Sequence, residues 1–305
     1  MRVLSLIASA TEIVHALNYG EKLIGRSHEC DYPAEVLHLP HCTKPRFNID
    51  GTSIEIDQRV KSILQEALSV YHIDEAKLSE LKPDIIITQS QCEVCAVSEN
   101  DVQKAVKSIT GKEPQIVSVE PNSLDDIWCD IKNISEALGD KKSGLNLIRN
   151  MKNRMNQLTK LVKGKKKRTV ASIEWIDPLM SAGNWVPELI EMAGGINLFG
   201  ITGKHSPWMD FKDLCDKDPE VLIIMPCGYG IEKSLIEMKT LTSTPGWDNL
   251  SAVKKNQVYV TDGNQYFNRP GPRLVANLEI LIEILYEGLF NFGYYGSGWV
   301  RLKYI

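Results

Sequence analysis

Nowhere in the 305 residues is there an apolar run approaching the ~18 residues a membrane-spanning helix needs. The C-terminal apolar stretch comes nearest, but Glu279, Glu283 and Glu287 interrupt it on one helical face, so no membrane insertion is expected. An excess of charge of one sign is also missing. Thirty-five Lys and Arg stand against 39 Asp and Glu, a formal net charge of -4, and without a broad basic surface nucleic acid is not an expected partner. The one basic run, Lys163 to Arg168, reads as a solvated helix terminus favoured by the helix dipole. Common catalytic devices are absent too: there is no G-x-S-x-G, G-x-x-x-x-G-K-[ST], H-E-x-x-H or G-x-G-x-x-G. Nothing in the motifs specifies a reaction and an enzyme is the less expected reading, although Glu29, Asp31 and Glu93 could form an acid/base pair in an enzyme that has recruited a ligand cleft.

Cysteine is present in an odd number, seven, so at least one thiol cannot pair within the molecule, which suits a reducing compartment. At the N-terminus, Arg2, an apolar Val3 to Ile7 and then Ala8-Ser9-Ala10 imitate a secretory leader. The apolar part falls short of the roughly 7–15 residues of such a region and reads better as a buried strand. The expected location is cytoplasmic, or periplasmic if those residues are a leader after all. With 43% hydrophobic and 24% charged residues, the composition is that of a globular protein with a sizeable core.

Strand, loop and helix recur along the chain. Val3 to Ile7 precedes a helix expected from Ser9, whose S-A-T-E has capping-box spacing to Glu12. Leu23 to Gly25, Ile85 to Ile87 and Ile116 to Val119 read as further strands, the Ile-Ile-Ile run as one buried on both faces. The second half repeats the plan with Val170 to Ile173, Val221 to Ile224 and Val258 to Val260, and with a helix from Val186 to Ala193 stopped by Gly194-Gly195. Between the halves, Leu145, Ile148, Met151, Met155, Leu158 and Leu161 fall mostly three or four apart over Lys141 to Lys163, a helix about 34 Å long. The expected fold is α/β: two Rossmann-like lobes with mainly parallel sheets, residues 1–139 and 165–305, joined by a backbone helix over 140–164. The ligand cleft is expected between the lobes, beyond the carboxyl ends of the strands.

Those strand ends carry chemistry. In the first lobe they offer His28, Glu29, Lys44 and the Gln91-Cys92-Glu93-Val94-Cys95 loop. In the second they offer Trp175, Trp185, His205, Trp208, Tyr229, Asn264, Tyr266, Phe267, Arg269 and Arg273. Flat aromatic side chains with little entropy to lose suit a planar or macrocyclic ligand. Arg269 and Arg273 suit its carboxylate or phosphate groups. Cys92-x-x-Cys95 with His28, and with His205 as a further candidate, suits a soft metal, which makes a metal-ion binder a second reading. The same thiol pair before a helix is also where a redox dithiol would sit.

The opening R-V-L-S-L-I-A-S-A-T-E-I, Asp31-Tyr32-Pro33, Leu81-Lys82-Pro83-Asp84 entering a strand, the backbone helix, A-G-G-I-N-L-F at 193–199, Ser206-Pro207-Trp208 and Pro272-Arg273 together resemble the helical-backbone (class III) substrate-binding proteins. These serve ABC importers of cobalamin, haem and iron–siderophore chelates. The resemblance spans nearly the whole chain. It implies cobalamin, another corrinoid or a related metal chelate as ligand, an ABC permease as possible partner, and a monomer. It places Trp208, Tyr266 and Phe267 where cobalamin-binding members carry contacting aromatics. In the first lobe, Lys44 and the Gln89-Ser90-Gln91-Cys92 loop stand where such members carry tryptophans, so a more polar ligand is also implied.

Overall fold

The computed structural model describes residues 1–65, 69–90, 99–106 and 113–303. The chain divides into two compact units, one of residues 1–51, 55–121 and 125–151, the other of 52–54, 122–124 and 152–305.

The first unit contains β1 (Val3–Ser5), α1 (Ala8–Ala16), β2 (Leu23–Arg26), β3 (Thr43–Pro45), most of α2 (Ser53–Gln65), β4 (Tyr71–Ile73), α3 (Glu75–Leu81), β5 (Ile85–Gln89), α4 (Glu99–Val106), β6 (Gln115–Val119) and α5 (Leu124–Ala137). Four of these strands form a wholly parallel sheet in the order β2-β1-β5-β6, while β3 and β4 pair antiparallel beside it in sequence. The Ile-Ile-Ile run of β5 is central and buried throughout, as an uninterrupted apolar strand must be when both faces are covered. α3 ends at Lys82, which turns left-handed at φ 43° just before Pro83 stops the helix. The expected capping box at Ser9 does not form. Ile7 is the N-cap, and Ser9 already lies inside the first turn, where it has helical geometry and is buried, so it cannot reach a free N–H from outside the helix.

Helix α6 (Lys141–Val162) runs through the division between the units. Met151, Met155, Leu158 and Val162 are its buried apolar side chains, at spacings of four, three and four. Leu145 and Leu161, expected on that stripe, are 49% and 46% exposed, because Gly144 one residue before the first and Val162 one residue after the second take the inward places.

The second unit contains β7 (Arg168–Trp175), β8 (Met180–Ser181), α7 (Val186–Met192), β9 (Gly195–Asn197), α8 (Phe211–Lys217), β10 (Val221–Ile224), α9 (Ile231–Thr242), α10 (Ser251–Lys254), β11 (Val258–Thr261), α11 (Leu274–Leu285) and β12 (Trp299–Arg301). Its sheet runs β12-β11-β10-β7-β8, with β9 beside β7. The β9-β7-β10-β11 core is parallel, and β8 and β12 are antiparallel edges. Strand β10 lies at 0% exposure over its whole length. The fold is thus α/β with two mostly parallel sheets.

Candidate ligand-binding site

In the first unit, the carboxyl ends of β1 and β2 lead into a small polar network. Thr11 Oγ1 donates to Ser5 Oγ at 2.8 Å and lies 3.0 Å from Cys30 Sγ. Thr43 Oγ1 donates to Ser27 Oγ at 3.0 Å, accepts from the His28 N–H, and lies 2.8 Å from His28 Nδ1. The imidazole leans on Tyr71, centroids 5.2 Å apart, and its Nε2 lies 3.1 Å from Glu29 Oε1. Lys44 is exposed on β3, opposite His72 of β4. Of the expected polar set, Gln91, Cys92, Glu93 and Cys95 lie outside the described residues. Among the described residues no group of three or more His, Cys, Asp or Glu is arranged to hold a metal ion. Cys42 is an interior thiol whose pKa burial pushes up to about 11, which leaves it protonated and unreactive at neutral pH.

In the second unit the carboxyl ends of β7, β10 and β11 carry loops stitched to one another. The loop after β11 is the most constrained. Asp262 Oδ1 accepts the N–H groups of Asn264 (3.1 Å) and Gln265 (2.7 Å), and Asn268 Nδ2 donates to the carbonyls of Met225 (3.1 Å) and Gly263 (2.9 Å). Asn264 N also donates to the Tyr229 carbonyl, tying this loop to the one after β10. At Gly263 an added Cβ would stand 2.1 Å from the Pro226 carbonyl oxygen, so only glycine permits the two backbones to approach this closely. Phe267 sits in the left-handed region at φ 60° with its side chain fully buried, a backbone state costing a bulky residue about 1–3 kcal/mol. The indole of Trp185 holds it there, Nε1 donating to the Phe267 carbonyl at 3.1 Å. Strain of this kind, over-determined by its surroundings, collects at ligand clamps.

This scaffold carries an aromatic face. Tyr266 is half-buried, with the Arg273 guanidinium 5.5 Å over its ring and Tyr294 packed edge-on at 5.8 Å. Trp175 tilts against Tyr229 at 5.2 Å, and the Lys233 ammonium lies 3.9 Å from the centre of the Tyr229 ring. Burial, then the nearby Glu237 carboxylate, raises the Tyr229 phenol well above its ordinary value, so it stays neutral. Trp208 is 55% exposed on a loop bound down by Ser206, whose hydroxyl accepts from Gly183 N and donates to Glu174 Oε2 at 2.8 Å. His205 is exposed, its Nδ1 on the Ser206 carbonyl.

The expected site residues of this unit therefore divide. Trp175, Trp208, Tyr266 and Arg273 offer accessible surface, whereas Trp185, Tyr229, Phe267 and Arg269 are buried. Arg269 uses Nη2 on Asn264 Oδ1 at 3.1 Å. Lys233, in the first turn of α9, and Tyr294, 28 positions beyond the ring it touches, were not among the expected residues. The G-Y-G-I entry to α9 marked the place of Lys233; nothing local marked Tyr294.

Residues 3–265 match the model of a family described as periplasmic binding protein. An uncharacterized ABC transporter substrate-binding lipoprotein of Bacillus subtilis, YvrC, is 22% identical over 294 residues, covering 95% of this chain and 81% of the relative. The vitamin B12-binding protein of Vibrio vulnificus is 25% identical over 284 residues, 92% of this chain and 89% of its own. Among solved structures, a possible iron-binding (periplasmic solute-binding) protein of Staphylococcus epidermidis superposes with a TM-score of 0.70 at 23% identity, covering 94% of this chain and 98% of that one. The expected cytoplasmic location finds no support in these relatives, one a lipoprotein and one described as periplasmic. Among the described residues no helix is long and apolar enough to cross a membrane.

Proposed function

The chain belongs to the periplasmic binding protein family, and from that we propose that it is the substrate-binding component of an ABC importer, reversibly holding a macrocyclic metal chelate of the corrinoid or haem kind. The observation that carries the reading is the second unit's aromatic set: Trp175 at the end of β7, Trp208 on the loop that Ser206 binds down, and Tyr266 on the loop fixed by the Gly263 close approach and the strained Phe267. Rigid aromatic area bound down before the ligand arrives loses little entropy on binding, which suits a flat, largely apolar macrocycle. Arg273 stands beside that face and supplies a cation for peripheral carboxylate, amide or phosphate groups. Trp185, Phe267 and Arg269 act beneath it by holding its shape. The vitamin B12-binding and possible iron-binding relatives support a metal-chelate ligand class.

The test is isothermal titration of the purified protein with hydroxocobalamin and, separately, hemin. Saturable one-to-one binding of either, weakened at least ten-fold by Trp208→Ala with the melting temperature unchanged, is expected, since Trp208 is largely exposed and contributes little to the core. No heat with both ligands would overturn the reading.

A further inference from the structure

Beyond residue 265, where the family match ends, the chain forms α11 and then a segment that returns to the sheet as β12. This segment is anchored at three places. Strand β12 pairs antiparallel with β11, Tyr259 opposite Arg301 and Thr261 opposite Trp299. The Gly298 carbonyl accepts from Asp262 N at 2.9 Å, at the root of the loop that carries Tyr266. On α11, the buried carboxylate of Glu283 receives the N–H groups of Phe292, Gly293 (2.8 Å) and Tyr294 on one oxygen, and Trp299 Nε1 (2.6 Å) on the other. A buried carboxylate supplied with four donors is satisfied, and it fixes the backbone from 292 to 294 to the helix.

That anchorage delivers one side chain to the ligand face. Tyr294 meets Tyr266 edge-on, centroids 5.8 Å apart and planes 83° apart. Its hydroxyl donates to Glu279 Oε2 at 3.0 Å, and Glu279 Oε1 accepts from Arg154 Nε of α6 at 3.1 Å. Tyr294 is thereby held at its far end by an ion pair bridging two helices of the same unit. Tyr266 is held between this edge and the Arg273 guanidinium on its face. Were the segment only a cover for the edge of β11, the β12 ladder and the Trp299 contacts would suffice, and the Tyr294–Glu279–Arg154 chain would have no task.

We infer that the C-terminal segment 287–303 is part of the binding apparatus, with Tyr294 a positioning residue that fixes the Tyr266 ring for a planar ligand; this rests on the ligand face proposed above. Two measurements on the full-length protein test it. In the first, without ligand, the protein is labelled with 3-fluorotyrosine and the Tyr266 fluorine resonance is assigned through Tyr266→Phe. Tyr294→Leu should move this resonance toward its unfolded position while the other resonances and the melting temperature stay close to wild type. Tyr294→Phe, which keeps the ring edge, should leave it nearly in place. An unmoved Tyr266 resonance in Tyr294→Leu overturns the inference whether or not any ligand binds.

The second is a double-mutant cycle in hydroxocobalamin or hemin affinity. Tyr294→Leu should weaken binding about five- to ten-fold in the wild-type background and have no effect once Tyr266 is already Leu. Equal losses in both backgrounds would mean that Tyr294 acts without Tyr266 and would overturn the inference. If wild type binds neither probe, the ligand class fails, and the fluorine resonance alone decides the positioning role.

Discussion

Replacing Gly263 by Ala adds one methyl group where the structure has no room for it. The new Cβ would lie 2.1 Å from the Pro226 carbonyl oxygen, 2.8 Å from the Met225 carbonyl carbon and 2.9 Å from the Met225 carbonyl oxygen. Normal carbon–oxygen contact is about 3.3 Å, so the backbones must part by about 1 Å. The obstructing atoms are main-chain atoms at the end of β10, whose residues are wholly buried, so the β11 loop is the side that yields. Its displacement breaks the bonds that cross between the loops, Asn264 N to Tyr229 O and Asn268 Nδ2 to Met225 O. Overpacking and those losses cost about 1–3 kcal/mol. For a unit of this size that lowers the melting temperature by about 2–12 °C. Tyr266 moves with the loop, and affinity for hydroxocobalamin or hemin should fall at least ten-fold. Differential scanning calorimetry and isothermal titration of the variant measure both effects. A variant that melts and binds like wild type would refute the claim that this close approach builds the ligand face.

Other perturbations have equally definite outcomes. Burial in α5, the largest cause, raises the Asp130 pKa to about 7 from 3.8, opposed by the Glu120 N–H that its Oδ1 accepts. The folded state therefore binds the extra proton between pH ~4 and ~7, and the stabilisation present below pH ~4 is lost as pH rises through that window. At 1.36 kcal/mol per pKa unit the full effect is about 4 kcal/mol. Asp130→Asn should be more stable than wild type to urea at pH 8 and no more stable at pH 4; the same difference at both pH values would refute the assignment. Trp185→Phe leaves the buried Phe267 carbonyl without its donor, so urea denaturation should show a loss of about 1–3 kcal/mol, with weaker ligand binding.

How far the sequence disclosed this molecule depended on whether each signal was local. Val221 to Ile224 and Ile85 to Ile87 were legible as strands because a run buried on both faces has no alternative to being apolar throughout. Helix α6 was legible from its period, although the stripe was misplaced at Leu161 because spacings of three and four point equally well from Leu158. Short elements were not legible: β3, β4 and β12 have three residues each and are held by pairing partners far away in sequence. At the site, residue type disclosed the aromatic character but not its division of labour. Trp185 and Trp208 look alike in sequence, yet one is 6% exposed and the other 55%. The left-handed Phe267 and the Tyr294 contact arise only when loops distant in sequence meet.

The central claim, that the second unit's aromatic face binds a flat metal chelate, is tested most directly by titrating the wild-type protein and its Trp208→Ala variant with hydroxocobalamin and hemin. The account predicts saturable one-to-one binding of at least one of them, weakened ten-fold or more by the substitution at unchanged melting temperature. Absence of binding by both, or equal affinity in the two proteins, would contradict it.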